Sequence, residues 1–175
     1  MTAPRIAALT GPALDQNLDG LTRLLIDTVA DGAAVSFLHP LSRDTACAFW
    51  QTEVFPEVTA NRRSLFTAHL GDTLAGTVQL ITAMLQNQPH RAEIAKMMVH
   101  PAARRRGLGH ALLRAALDHA GSLGKTNVTL DTRSGDVSQS LYASVGFEVA
   151  GIIPDFALNP DGRTLHSTTY MFKRL

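Results

Sequence analysis

The sequence holds one cysteine, Cys47, in 175 residues. A single thiol excludes an internal disulfide framework and fits a reducing compartment. Charge of one sign is also lacking, with a net +1 at pH 7. So small an excess gives no case for nucleic acid or an anionic membrane as partner. No run reaches the roughly 18 apolar residues that a membrane span needs. The opening stretch, Met1 to Pro12, has no sustained apolar core of the signal-peptide kind. These absences predict a cytoplasmic protein. What is present is a 45 % hydrophobic complement. It is enough for one packed core, and residues 1–175 are read as one domain.

Hydrophobic spacing then divides the chain. Leu18, Leu21, Leu24, Leu25 and Val29 share one face of a helix over 14–30, which Gly32 can end. Ser42 caps a second helix over 43–60, which Pro56 breaks or kinks. Cys47 falls in that helix and reads as a small buried hydrophobe, not a nucleophile. The period then becomes two. Strands are expected over 64–70, 74–85 and 92–99, the first two joined at Gly71-Asp72. A helix over 108–123 buries Leu108, Leu112, Leu113, Ala116, Leu117 and Ala120. A strand over 127–132, a short helix over 137–145 and a strand over 147–152 follow. Residues 154–163 read as a loop, and 168–173 as a last strand. This order predicts one mixed α/β domain, its central sheet flanked by helices.

The most specific local signal is Arg104-Arg105-Arg106-Gly107-Leu108-Gly109, between a strand and a helix. Helix N-termini present unpaired N–H groups and a positive dipole end, which suit phosphate. Gly107 and Gly109 lack a β-carbon and let a ligand come close to the backbone. The arginines add charge that matches a diphosphate. A P-loop needs Lys-Ser or Lys-Thr after its last glycine, and here His110-Ala111 follows. A dinucleotide fingerprint needs a third glycine or alanine where Leu112 stands, although Asp131 lies about where its ribose-binding acid would be.

These residues resemble the GNAT superfamily of acetyl-CoA-dependent N-acetyltransferases. Arg104, Gly107 and Gly109 match its cofactor motif, and Ser138, Leu141, Tyr142, Gly146 and Phe147 match a second motif further on. The second match departs at Gly135, where the family often has Asn. The segments 21–41, 92–112, 130–147 and 159–173 are similar to the tabtoxin-resistance type of small acetyltransferase. The resemblance implies a largely antiparallel GNAT-like sheet and acetyl-CoA as co-substrate, with no metal. It implies cofactor contacts from Met97, Met98 and Val99, from Arg104, Arg105, Arg106, Gly107, Leu108, Gly109 and His110, and from Ser138 and Tyr142. It further implies a small amine-bearing acceptor, with a protein N-terminal acetyltransferase and a non-catalytic CoA-binding module as alternatives. A homodimer is compatible with all three.

Acetyl transfer to an amine needs the amine unprotonated, and a positioned carboxylate can take the proton. Glu93 is the first candidate base. Strand alternation puts it on one face with Ala95, Met97 and Val99. The competing reading is a strand-end carboxylate paired with Arg91 or Lys96. Asp131 is the second carboxylate, at the end of the neighbouring strand, where the sheet is expected to open a wedge. Its competing reading is a turn or capping group. Tyr142, by the resemblance, is the general acid for the leaving thiolate; spacing alone makes it a half-buried helix residue. A backbone N–H of Met97–Val99 would hold the oxyanion. The histidines form no metal-binding spacing; His100 and His110 read as surface or capping residues. Phe37, Trp50, Asp155, Phe156 and Arg163 are expected to wall the acceptor site, with Arg163 facing an acceptor carboxylate.

Overall fold

The computed structural model describes residues 4–175. Its frame is a seven-stranded sheet in the order β1-β2-β3-β4-β5-β7-β6. The strands are β1 (Arg5–Ala8), β2 (Arg63–Leu70), β3 (Thr73–Ile81), β4 (Arg91–Val99), β5 (Asn127–Arg133), β6 (Glu148–Leu158) and β7 (Leu165–Arg174). All neighbours pair antiparallel except β4 and β5. The mixed, largely antiparallel sheet expected from sequence is therefore present. β1, only four residues long, was not foreseen, because so short a strand carries no usable alternation.

The helices are α1 (Pro12–Ala30), α2 (Arg43–Ala48), α3 (Phe55–Thr59), α4 (Leu108–Ser122) and α5 (Val137–Ser144). They cover the sheet from two sides. On one side α4 presents Leu108, Leu112, Leu113, Ala116, Leu117 and Ala120 to Ala92, Ile94, Val128 and Leu130. On the other, Leu21, Leu24, Leu25 and Val29 of α1 pack with Phe49, Trp50, Leu65 and Met98.

Ser42 caps α2 as expected, accepting from the Thr45 N–H at 3.1 Å. The single kinked helix over 43–60 is in fact three pieces. Between α2 and α3 the chain widens into a π-helical stretch, Phe49–Val54. Phe55 N–H reaches back to Trp50 O, so the helical register changes ahead of the proline. Pro56 then sits in the first turn of α3, where a missing N–H costs little. Trp50 is fully buried in this layer. It is a core residue and not the acceptor-site wall expected. Cys47 is only half-buried, its Sγ 3.4 Å from Gln51 Oε1.

Half of the expected loop over 154–163 is strand. β6 runs to Leu158 and interrupts its ladder between Ile153 and Ala157, where Pro154 and Asp155 bulge out. Asp155 has φ 50, and as an outer strand β6 tolerates a proline. The strand expected over 74–85 stops at Ile81.

One local feature positions everything that follows. β4 and β5 pair at Arg91↔Asn127, Ala92↔Val128 and Glu93↔Thr129, and then no further. β4 continues to Val99 and β5 to Arg133, so the two strands splay apart mid-sheet. The wedge expected from sequence is there.

Candidate active site

The turn expected to hold the cofactor follows β4 at the open end of that wedge. β4 passes through a 3-10 turn, Pro101–Ala103, into Arg104–Gly109 and α4. His100 shapes the turn, as a capping residue would, accepting the Ala102 N–H at 3.2 Å and meeting Asp27 at 3.2 Å. The first backbone bond of α4 is Ala111 N–H to Gly107 O at 3.0 Å. The N–H groups of Leu108, Gly109 and His110 precede it at the exposed helix end, which suits an anion.

The two glycines of the turn have different duties. Gly107 has φ 77, and an added Cβ would meet nothing within 4 Å. It is needed for its backbone conformation and leaves open space. At Gly109 an added Cβ would lie 2.8 Å from Leu141 Cδ2 and 3.1 Å from Met97 Cε. Its missing side chain therefore serves packing among α4, α5 and β4, a correction to the view that both glycines clear a path for ligand. Leu108 is 1 % exposed and can offer a ligand only its backbone. The His110 side chain lines a separate hollow with Arg114, Asp118 and Lys173, and its N–H lies at the turn. Arg104 is held by Asp31 at 2.6 Å. Arg105 and Arg106 are exposed and, among the described residues, form no ion pair.

A bulge in β4 sorts the catalytic candidates between the two faces. Thr77 pairs with Met98 but Gln79 pairs with Ala95, so Lys96 and Met97 together oppose Val78. Lys96 absorbs the extra residue with φ 47. One inserted residue inverts the alternation beyond it. Ala92 and Ile94 face α4 before the bulge; Met97 and Val99 face α4 after it. Glu93 thus does not share a face with Met97 and Val99, which corrects the strand-alternation expectation. It lies on the α1 side, in register with Arg63, Ile81 and Thr129 along one row across the sheet. The Arg91 pairing that competed for it exists, at 3.4 Å, yet Glu93 remains 36 % exposed.

Asp131 is on the same face as Glu93, because Val128 and Leu130 between and beside them point to α4. It accepts a hydrogen bond from Thr168 Oγ at 3.0 Å and stays exposed. Tyr170 opposes it on β7, and Phe156 meets Tyr170 edge-on at 6.2 Å. Phe156 thus connects to Asp131 through Tyr170. Arg163 sits in the exposed turn between β6 and β7, its N–H bonded to Asp161 at 2.9 Å.

Tyr142 comes from the opposite side. It is 6 % exposed in the α4 layer, with Phe147 edge-on at 6.0 Å. Burial, with Asp131 and Asp136 adding, pushes its phenol well above the usual range, so it stays protonated. Its helix is anchored at the N-terminus by Asp136, which accepts the Ser138 N–H at 3.1 Å. Against the cost of burial, that bond and the Arg133 guanidinium hold the Asp136 carboxyl below its usual range. Ser138 Oγ meets Thr132 Oγ1 at 2.8 Å, which ties α5 to β5.

Two residues at this site were missed from sequence. Arg133 donates to Gly32 O at 3.0 Å, to Asn159 Oδ1 at 3.2 Å and to Asp136 at 2.8 Å. It joins the α1–α2 loop, the β6–β7 hairpin and the α5 cap. Lys96 donates to Ser36 Oγ at 2.8 Å across the same loop. Nothing in a linear pattern signals a bulge, so Lys96 read only as a possible ion-pair partner of Glu93. Among the described residues no cluster of His, Cys, Asp and Glu could hold a metal ion, and no helix is long and apolar enough to cross a membrane.

Comparison with known proteins fits this geometry. The model of the acetyltransferase (GNAT) family matches residues 34–147. The chain is 32 % identical over 98 residues to the uncharacterized N-acetyltransferase YvbK of Bacillus subtilis, a match spanning 55 % of this chain and 61 % of that protein. An N-acetyltransferase from Staphylococcus aureus Mu50 superposes with a TM-score of 0.80 at 16 % identity, over 99 % of both chains. yncA from Salmonella typhimurium, solved with its cofactor acetyl-CoA, gives 0.79 at 20 % identity over 99 % of this chain and 95 % of its own. With its phosphate turn and splayed strands inside the matched region, the chain belongs to the GNAT family of acetyltransferases.

Proposed function

We propose that this protein transfers the acetyl group of acetyl-CoA directly to the amine of a small molecule. The observation that carries the reading is the wedge between β4 and β5. Two carboxylates, Glu93 and Asp131, lie on its α1 face, and the protonated phenol of Tyr142, in the α4 layer, would act from the opposite side.

The residues present fit acetyl-CoA. The exposed N-terminus of α4, the open space at Gly107 and the unpaired Arg105 and Arg106 suit its pyrophosphate. Beyond Glu93 the β5-facing edge of β4 has no strand partner, so its backbone is free to hold the pantetheine arm through 97–99. Met98 takes part through backbone alone, because its side chain is buried. Acetyl-CoA supplies an activated acyl group with a thiolate leaving group. Glu93 or Asp131 accepts the proton of the acceptor ammonium, and a backbone N–H of the strand faces the developing oxyanion. Tyr142 keeps its proton until the sulfur needs it.

A small acceptor is favoured by the tie across the site. His39 N–H donates to Pro160 O at 2.7 Å, and Arg133 and Lys96 fix the same loop at Gly32 and Ser36. A peptide N-terminus would require an open groove here. The likeness to tabtoxin-resistance enzymes points to the same class of acceptor.

The test is acetyl-CoA turnover with a panel of amines. Glu93→Gln is expected to lower kcat about 100-fold or more, with partial recovery at high pH as free amine becomes abundant. Asp131→Asn is expected to act mainly on acceptor KM. If both variants stay within about threefold of the parent at every pH, the carboxylates have no such role. The Arg105→Gln, Arg106→Gln pair should raise the KM for acetyl-CoA about tenfold, in line with two lost phosphate contacts, and should do so less at high salt. An unchanged KM would move the pyrophosphate elsewhere.

A further inference from the structure

The acceptor side of the wedge already contains an amine of the protein's own. Lys96 is the bulged residue of β4, and its ammonium reaches into the space between the sheet and the α1–α2 loop. Ser36 Oγ takes one of its protons at 2.8 Å. An ammonium has three, so donors remain. Its charged neighbours come from every side: Glu93 on its own strand, Asp131 on β5, Arg63 on β2 and Glu53 on the π-helical stretch. Burial pulls it below its usual range, the three carboxylates oppose that, and Arg63 assists it.

Arg63 repeats the pattern. It is half-buried, donates to Gln79 Oε1 at 2.6 Å, and leaves its buried Nε without a partner. Gln79 is fully buried, and its Nε2 also lacks a partner. Gln79 pairs in register with Ala95, next to Lys96. Among the described residues this patch of the sheet therefore sets the Lys96 ammonium and the Arg63 guanidinium beside the two candidate carboxylates, on one face. Arg63 Nε and Gln79 Nε2 are closed to a ligand, whereas the Lys96 ammonium, whose bond to Ser36 is exposed, has protons left for a ligand's acceptor oxygens.

We propose that Lys96, seconded by Arg63, makes the acceptor site selective for amines that also carry an anionic group, such as a carboxylate. The acceptor's amine faces Glu93 and Asp131, and its anion faces Lys96. A dication such as a diamine would place a second ammonium against Lys96 and is disfavoured. The proposal rests on the acetyltransferase reading and names the substrate class of that site.

A matched set tests it: an α-amino acid, its amide, and a diamine of similar length, each with acetyl-CoA. The parent should favour the acid over the amide in kcat/KM about ten- to hundredfold, the weight of one charge-assisted hydrogen bond. Lys96→Gln should remove most of that ratio, Lys96→Glu should turn preference to the diamine, and Lys96→Arg should retain the acid. An acid-to-amide ratio near one in the parent, or a ratio unmoved in Lys96→Gln, overturns the proposal. A second readout needs no turnover: the N-acetylated amino acid with CoA should raise the melting midpoint of the parent more than that of Lys96→Gln. Equal shifts also overturn it. Binding of acetyl-CoA with no amine acetylated would instead sink the transferase reading, and the melting shifts would then decide the anion site by itself.

Discussion

Tyr142→Phe is expected to lower kcat about 100- to 1,000-fold while leaving the KM for acetyl-CoA nearly unchanged. The phenol is held above its ordinary range first by burial and then by Asp131 and Asp136, so at neutral pH it is a donor. A donor aimed at developing negative charge on sulfur helps the transition state more than the ground state, and its loss falls on kcat. The ring is a packing element as well, lodged among the α4 layer against Phe147. Phenylalanine keeps that packing, so the melting midpoint should move by no more than a few degrees. Tyr142→Ala differs, because it also opens a cavity costing about 3–5 kcal/mol. Steady-state kinetics with a poor thiolate leaving group would sharpen the result, since the deficit should grow as the leaving group becomes more basic. A Tyr142→Phe enzyme with parental kcat would leave the phenol a core residue only.

The parts of this site legible in the sequence are those fixed by neighbours in the chain. The turn Arg104–Gly109 stands between a strand and a helix whose periods are unmistakable, and both elements form within about a residue of where they were expected. Tyr142 was singled out by its motif, and the short helix that bears it, set by the local Asp136 and Gly146, forms where it was expected. The wedge was expected from the resemblance to the family's sheet, and the pairing of β4 with β5 does stop at Glu93. What sequence did not reveal depends on register. The bulge at Lys96 moves Met97 and Val99 to the α4 face and leaves Glu93 on the other. Alternation assumes that no residue is skipped, and here one is. Arg133 was missed for a related reason: its three partners lie on a loop, a hairpin and a helix cap that only folding brings together. The length of β6 was hidden by Pro154 and by Asn159-Pro160, which read as loop although the strand bulges around the first and ends before the second.

Gly109→Val is expected to destabilise the protein by about 1 kcal/mol, the low end of an overpacking cost, because the atoms it meets are the movable ends of two half-buried side chains. In a chain of this length that corresponds to a fall of roughly 2–4 °C in the melting midpoint per kcal/mol. The reason is the 2.8 Å approach of Leu141 and the 3.1 Å approach of Met97 to any carbon added there. Both contacts lead to the proposed site, since Leu141 precedes Tyr142 on α5 and Met97 lies on β4, the strand proposed to hold the pantetheine arm. If they pass the strain on to α5 and β4, kcat should drop with stability. Gly107→Val separates the two kinds of glycine. It meets no atom within 4 Å but must adopt φ 77, so its cost is backbone strain at the phosphate turn, read mainly in the KM for acetyl-CoA. The decisive comparison is a cycle with Leu141→Ala. Shortening Leu141 removes the nearest clash, so Gly109→Ala should cost markedly less in that background, with a coupling of about 0.5–3 kcal/mol. Strict additivity would mean that α5 does not press on Gly109, and the link from the phosphate turn to Tyr142 through that contact would fail.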